Sequence, residues 1–519
     1  MDACRGEIMK DYKILKNSYF DSVTLMSTTV TLKKELKLKE LVMFMGTDMN
    51  KDMIKSVGLY HESLDEAMPN DLMLAVELDE AFPNWAEEVV ARLSSSKSKS
   101  SDEKTVYKTI NQAYEAIEPN IAVISVPGLY AANEAFKALE KNMHVMLFSD
   151  NVSVEDEIAL KDLAIKKDLL VMGPDCGTAI INGKGLCFAN QVRRGSIGLV
   201  AASGTGLQEV TVIIDRFKGG ITQAIGVGGR DLSEKVQGRM MLKGIDALDQ
   251  DDDTKVIVLI SKPPHQTVLD KILKRLETVK KPVVLCLLDA HVEKTPKHVH
   301  FTSTLTDGAI KALELVGLDT PDLLSFDKTL VDTINTYQKA FTNDQKYIKG
   351  LYCGGTLTAE SLSVLRPYLK GVTSNVAKKD EEKMKDPMKS SGHNLVDLGD
   401  DIFTQGKPHP MIEPAIRLDR ILHEAKLKET AVILLDFELG IGSHDDAVGI
   451  TLEALVDAKK LAEKDGRALA IVAYVCGTDK DHQNLESSEK RLKDAGIIVA
   501  KTNAHAAMIA QELVKGVKA

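Results

Sequence analysis

Residues 197–209 read Ile-Gly-Leu-Val-Ala-Ala-Ser-Gly-Thr-Gly-Leu-Gln-Glu, and with the run on to Phe217 they decide the fold. Ile197–Ala201 is a short apolar run of the kind buried in a parallel sheet. Leu207–Phe217 has helical spacing. Between them lies a turn of Ser203, Gly204, Thr205 and Gly206. In a doubly wound α/β sheet such a turn sits at the carboxyl end of a strand, where ligands bind. Gly204 and Gly206 allow a tight bend that leaves backbone N–H groups bare. The helix start adds about half a positive charge, and Ser203 and Thr205 add hydroxyl donors. That combination suits phosphate. A plain Ser/Thr helix cap is the alternative reading.

The same rhythm extends in both directions. Residues 105–192 alternate strands at Asn120–Val126, His144–Phe148 and Leu169–Met172 with helices at Ala131–Lys141 and Val154–Lys166. Residues 193–325 continue with strands at Gln223–Val227, Val256–Ile260 and Val283–Leu287 and a helix at Gln266–Val279. Residues 344–519 repeat the pattern with strands at Gly350–Tyr352, Ala431–Asp436, Leu469–Val475 and Ile497–Ala500. Helices there follow at Asp446–Asp465, Gln483–Ala495 and Ala504–Lys515. The fold class is therefore α/β, with tandem doubly wound parallel-sheet domains: one Rossmann-like and two flavodoxin-like. Residues 1–93 read as a small α+β domain, with strands at Leu41–Met45 and Leu72–Glu77 and helices at Ser22–Lys37 and Phe82–Leu93. A polar linker follows at Ser94–Lys104. Residues 376–394 read as a mobile charged loop.

Composition narrows the function. A chain of 519 residues with net charge −10 does not present the basic face that nucleic acid requires. The six cysteines form no CxxC pair, which points away from zinc ribbons and toward free thiols in a reducing compartment. The N-terminus has no signal-peptide core, and no apolar run approaches the ~20 residues that span a bilayer. A cytoplasmic protein without membrane or nucleic-acid partners is expected, with no metal site.

Four further turns are candidates. Gly228, Gly229 and Arg230 follow a strand, and Arg230 offers a planar fork for an anion. A surface pair of Arg230 with Asp231 is the alternative. Gly173–Thr178 ends another strand. There Asp175, with Asn190 downstream, is a candidate substrate contact, and Cys176 reads as an inert buried thiol. Gly440, Gly442 and Ser443 form a second phosphate-type turn, with His444 as a candidate acid/base or a solvated cap. Lys407 and His409 lie in a proline-stiffened turn as candidate substrate contacts.

Together these motifs carry a resemblance. Residues 120–320 resemble the α subunit of succinyl-CoA synthetase, and residues 344–519 resemble the carboxy-terminal domain of its β subunit. Gly173–Asn182 stands where that superfamily has its GPNCPG turn, and residues 202–209 stand at its SGTLTYE helix start. With GPDCGTAIING, ASGTGLQEV, GVGGRDLSE, FTQGKPHPMI and residues 19–26, the chain resembles the FdrA family over nearly its whole length. The departures matter. The segment that carries a phosphohistidine in the synthetases has His298 and His300 here but no glycine frame. The carboxylate that cradles that histidine would fall near Ser261-Lys262-Pro263-Pro264, where none stands. No ATP-grasp nucleotide domain is evident.

The FdrA resemblance implies a subunit of oxamate carbamoyltransferase in allantoin breakdown, in which oxalurate and phosphate give oxamate and carbamoyl phosphate with companion subunits. It needs no cofactor, and an oligomer is expected. Ser203, Gly204, Thr205 and Gly206 would hold phosphate, helped by Gly228, Gly229 and Arg230, with Gly440, Gly442, Ser443 and His444 closing the site. Two other readings stand beside it. One is an acyl-CoA synthetase component that binds CoA and borrows a nucleotide domain, phosphorylated at His298 or His300. The other is a non-catalytic scaffold subunit.

Overall fold

The computed structural model describes residues 9–18, 20, 25, 28–29, 32–33, 35–36, 38–78, 82–97, 106–290, 292–404 and 408–515. It divides into two compact units. Residues 1–106 with 401–408 form one, and residues 107–400 with 409–519 form the other.

The smaller unit is built on an antiparallel sheet of β1 (Met9–Leu15), β2 (Glu40–Met45) and β3 (Leu72–Leu78), in the order β1-β3-β2. β3 is central and covered on both faces, which explains its almost unbroken apolar run. One face packs Leu41, Met43 and Leu74 against Trp85 and Val89 of the helix Trp85–Lys97. The other packs Val42, Met73 and Ala75 against Ile54 and Leu64. The helix Trp85–Lys97 extends into the stretch read as a linker. Most of the helix expected at 22–37, and most of residues 19–26, lie outside the described residues.

The larger unit holds three sheets. β4 (Ile121–Ile124), β5 (His144–Leu147) and β6 (Val171–Met172) are parallel, in the order β4-β5-β6. A hairpin of β7 (Thr178–Ile181) and β8 (Lys184–Cys187) then crosses to the edge of the next sheet. That sheet adds β9 (Arg194–Ala201), β10 (Ile221–Gly226), β11 (Val256–Ser261), β12 (Val283–Leu287) and β13 (Val299–Thr302), in the order β13-β12-β11-β9-β10-β7-β8. The third sheet contains β14 (Tyr347–Tyr352), β15 (Thr373–Ser374), β16 (Asn394–Asp397), β17 (Thr430–Glu438), β18 (Ala470–Cys476) and β19 (Ile498–Ala500). Its order is β15-β16-β14-β17-β18-β19, all parallel.

In the second sheet β9 lies between β10 and β11, the second and third strands of its series, which is the flavodoxin-like order; in the third sheet β15 lies outside β16, so β14 lies between β16 and β17. In both, the chain order reverses beside the first strand, and its carboxyl end is the ligand position of such sheets. Residues 376–394 correct an expectation. They run past a short 3-10 turn (Asp380–Glu382) in which Glu382 pairs with Arg366 at 2.5 Å, and they feed β16, an interior strand. A four-residue strand after a polar run gives too little alternation to be read from sequence.

The two flavodoxin-like blocks share one core. Helices Gly204–Arg216 and Leu305–Leu315 of the first pack against Gly355–Leu365 and Asn503–Val514 of the second. The Rossmann-like block is tied on by Lys161, which is fully buried. Its Nζ donates to Glu157 Oε1 and Asp231 Oδ1 at 2.8 Å each and to the Val227 carbonyl at 3.0 Å. Asp231 in turn accepts the amides of Met240 and Met241 at 3.1 and 2.9 Å. No helix among the described residues is long and apolar enough to cross a membrane.

Candidate functional site

The turn that decided the fold opens the helix Gly204–Arg216. Ser203 is its N-cap, and its Oγ accepts the Gly206 amide at 2.9 Å. The same hydroxyl donates to Thr356 Oγ1 at 2.7 Å. Thr356 belongs to the start of the helix Gly355–Leu365, which follows β14 as the Ser203 helix follows β9. Two helix N-termini from two sheets therefore meet. They meet closely, because a Cβ on Gly354 would lie 2.8 Å from the Thr205 methyl carbon.

The chemistry of this meeting lies in what the helix starts lack. A helix leaves its first four N–H groups without intrahelical partners. The Gly355 helix has no side-chain cap. Asp436 accepts the amides of Cys353 and Gly354 at 2.8 and 3.1 Å. The amides of Gly355, Thr356 and Leu357 meet no acceptor among the described residues, and neither do those of Gly204 and Thr205. These unpaired N–H groups belong to two adjoining, half-buried helix starts, the kind of position that favours an oxyanion.

Asp436 is held in place by Arg417. The buried guanidinium donates to Asp436 Oδ1 and the Leu351 carbonyl at 3.0 Å each, to Cys353 Sγ at 3.1 Å and to the Asp436 carbonyl. Cys353, Asp436 and Glu438 offer ligand atoms within 4.8 Å of one another. The guanidinium already supplies that cluster's positive charge, so the arrangement reads as an ion pair. Burial, together with the neighbouring Asp436, pushes the Glu438 carboxyl well above its ordinary range.

Beside the Gly355 turn stand three side chains. Asp397 ends β16, Lys262 follows β11, and His409 packs on Gly399 and on the Phe188 ring, 5.7 Å away. Burial pushes His409 down to about 4, so it is neutral near pH 7. Its Nδ1 accepts the Met411 amide at 3.2 Å.

The other expected site residues are placed as follows. Gly204 faces the Gly177–Thr178 turn. Gly228 packs on the Gly173–Pro174 backbone, and Gly229 lies near Asp175. Asp175 is exposed and acts electrostatically on Lys262. Arg230 Nη2 lies 3.0 Å from Glu157 Oε2 and donates to the Val152 carbonyl at 2.8 Å, so this edge of the guanidinium braces the Lys161 cluster. In the Gly440–Ser443 turn the first two amides are committed. Gly440 N–H donates to Gln483, and Ile441 N–H donates to the Ala189 carbonyl at 2.8 Å. Gly440 and Gly442 pack on residues 187–190, so this turn docks one block on another. Asn190 belongs to that dock, donating to Leu439 O and Asp481 Oδ2 at 2.8 Å each. His444 Nδ1 accepts the Asp446 amide at 3.0 Å, in keeping with a cap. Ser443 Oγ is buried without a partner. Lys407 lies outside the described residues. Cys176 is buried, and burial pushes its thiol up to about 12, which fits an inert role.

His298 and His300 sit at the start and within β13, against Val283 and Val284 of β12. Ser203 follows the far end of the neighbouring strands. At ~3.3 Å per residue, a four-residue strand separates His298 from that end by more than 10 Å.

A mirrored pair of acids lies behind the helix starts. Glu209 and Glu360 occupy the same place in the frames Ala202–Glu209 and Cys353–Glu360. Glu360 accepts the Leu305 amide at 2.6 Å, and Glu209 accepts the Asn503 amide at 3.2 Å. Each therefore caps the last helix of the opposite block. Burial and the charge of Glu209 push Glu360 up to about 8. A carboxyl raised on folding gives stability that is intact below its unfolded value and falls as pH rises through the folded one. Denaturant midpoints should therefore fall from about pH 5 to about pH 8.5, and Glu360→Gln should flatten that fall. An unchanged slope in the variant would remove this account.

The comparisons follow this layout. A family described as "CoA binding domain" matches residues 192–287, and one described as "CoA-ligase" matches residues 351–513. One described as "AllF, heavy metal-associated domain" matches residues 9–109. The chain is 46% identical over 508 residues, 96% of its length and 98% of the other, to the "Uncharacterized protein YahF" of Escherichia coli (strain K12). The chain belongs to the YahF family. This YahF-family chain is similar to the succinyl-CoA synthetase α subunit in its middle. It is 27% identical over 163 residues, 30% of its own length and 52% of the other, to the succinate–CoA ligase [ADP-forming] subunit alpha of Aquifex aeolicus (strain VF5). A solved dinucleotide-forming acetyl-coenzyme A synthetase 1 of Ca. Korarchaeum cryptofilum aligns over 80% of this chain and 86% of that one, at 14% identity and TM-score 0.33. Among the described residues of 9–109 no cluster of three His, Cys, Asp or Glu ligands occurs.

The sequence reading missed the Gly355 helix start, Lys262 and Asp397 as site residues. The first had a visible signal: Cys353-Gly354-Gly355-Thr356-Leu357-Thr358-Ala359-Glu360 repeats the spacing of Ala202–Glu209 after a strand.

Proposed function

We propose that the chain is the acyl-phosphate-forming subunit of an oxamate carbamoyltransferase of FdrA type. Oxalurate and phosphate would give oxamate and carbamoyl phosphate with companion subunits. The observation that carries this reading is the pair of facing helix starts with bare amides at Gly204, Thr205, Gly355, Thr356 and Leu357. Phosphate held there would lie beside the reacting carbonyl, and N–H groups aimed at that point stabilise charge as it develops on the carbonyl oxygen. The AllF description of residues 9–109 supports a place in allantoin breakdown. Gly204 and Thr205 hold the phosphate from one block, and Gly355, Thr356 and Leu357 hold it from the other, while the Ser203 hydroxyl, tied to the Gly206 amide and to Thr356, sets the approach of the two helix starts. Neither a phosphohistidine nor ATP enters this scheme.

Purified chain with its companion subunits should make carbamoyl phosphate from oxalurate and phosphate. Ser203→Ala with Thr205→Ala should weaken phosphate binding about tenfold, the scale of one or two hydrogen bonds to a charged group. Wild-type affinity in that double variant would overturn the site.

The CoA-binding and CoA-ligase matches favour a second reading, an acyl-CoA synthetase component that uses a partner's nucleotide domain. It requires acid-labile phosphate on His298 or His300 after incubation with labelled ATP and partner. Their distance from the strand ends counts against it.

A further inference from the structure

Glycine at position 355 is required by its neighbours. A Cβ there would lie 2.6 Å from Asp397 Oδ2 and 3.4 Å from Lys262 Nζ. These two side chains flank the bare helix start from different sheets. Asp397 is 8% exposed. Its Oδ1 accepts the Gly399 amide at 2.9 Å, and no described residue donates to Oδ2, which points at the Gly355 turn. Lys262 is half-buried, and its ammonium forms no hydrogen bond or ion pair within 4 Å with any described residue. An ammonium removed from water without a bonded counter-charge is costly. Two helix starts add about one further positive charge at the same place. The balance of charge at this place favours an anion.

We propose that Lys262 binds the anionic ligand of this site directly, and that Asp397 is the group that takes up and returns a proton beside it. This deepens the phosphate reading above and rests on it. In the carbamoyl reaction a phosphate oxygen forms the new C–O bond to the ureido carbon, and its proton passes to Asp397. The C–N bond to the oxamate nitrogen breaks, and that nitrogen takes the proton from Asp397. Atoms and charge balance without any other reactant.

The surroundings suit these roles. Burial pushes Asp397 up to about 7, with Asp436 and Asp400 adding to the rise and Lys262 and the Gly399 amide opposing it. Burial pushes the Lys262 ammonium down, helped by Lys378 and opposed by Asp397, Asp175 and Asp400. His409, neutral beside Gly399, adds no charge. A carboxyl poised near neutrality is well matched to proton exchange at pH 7. In the synthetases a carboxylate is expected near Lys262. A cation there repels a protonated histidine and attracts a free phosphate dianion.

The test is calorimetric titration of the full chain with inorganic phosphate, at about pH 6 and about pH 8. Wild type, Lys262→Met, Lys262→Arg and Asp397→Asn are compared, with thermal melts to establish folding. Lys262→Met should lose tenfold or more in affinity, and Lys262→Arg should retain most of it. Asp397→Asn should gain affinity relative to wild type at pH 8 and little at pH 6, because only the ionised carboxyl repels phosphate. With companion subunits, Asp397→Asn should lower kcat roughly a hundredfold while keeping the KM for phosphate. Wild-type affinity in Lys262→Met, or no phosphate binding by the wild type, overturns the role of Lys262. An affinity ratio for Asp397→Asn that is equal at both pH values, or an unchanged kcat, overturns the role of Asp397. A wild-type complex that binds phosphate yet makes no carbamoyl phosphate removes the carbamoyl reaction and leaves the phosphate titrations to judge the pair.

Discussion

Lys161→Met should lower the stability of the chain by roughly 3–5 kcal/mol, the usual cost of removing one partner from a buried ion cluster. Lys161, Glu157 and Asp231 are each fully buried, and Nζ is the donor common to both carboxylates. Without it Arg230 still reaches Glu157. Asp231 keeps only the Met240 and Met241 amides. The damage should fall on the join between the Rossmann-like block and the sheet that carries β9. Chemical denaturation read by fluorescence of the single Trp85 would report the wrong unit, so far-ultraviolet circular dichroism is the suitable signal. A triple change that also makes Glu157 and Asp231 apolar should recover much of the loss. A loss below about 1 kcal/mol in the single variant would mean that water reaches the carboxylates.

The second large effect is expected at Arg417→Met. This change strands Asp436 beside Glu438 without a cation, again at roughly 3–5 kcal/mol. It should do more than destabilise. Asp436 fixes the amides of Cys353 and Gly354, and so sets the direction of the Gly355 helix. Phosphate affinity should therefore fall in Arg417→Met even under conditions where melts show the chain folded. Stability lost with affinity intact would show that Asp436 holds its position without the guanidinium.

Much of this architecture could be read before any coordinates. The helix at Val154–Lys166 lies where its spacing put it, the strands around Val256, Val283 and Ala431 lie within one or two residues, and the strand around Ile197 begins three residues earlier. Long buried strands and amphipathic helices carry their period in every residue. β15 and β16 did not, because two and four residues contain no period. The Ser203 helix start was legible because its glycines and hydroxyls follow a strand. Its partner was not, because nothing local says that residues 150 positions apart will face each other. Arg230 and the Gly440 turn show what residue type leaves out: Arg230 Nη2 and the amides of Gly440 and Ile441 are engaged by neighbours, and engagement is a tertiary fact.

The mirrored capping by Glu209 and Glu360 has a consequence for assembly. The two halves are joined by about thirty residues containing the helix Lys328–Ala340. Tethering turns their encounter into an intramolecular event at high effective concentration. The contact between the facing helices should thus stay formed at dilutions that would dissociate a two-chain equivalent.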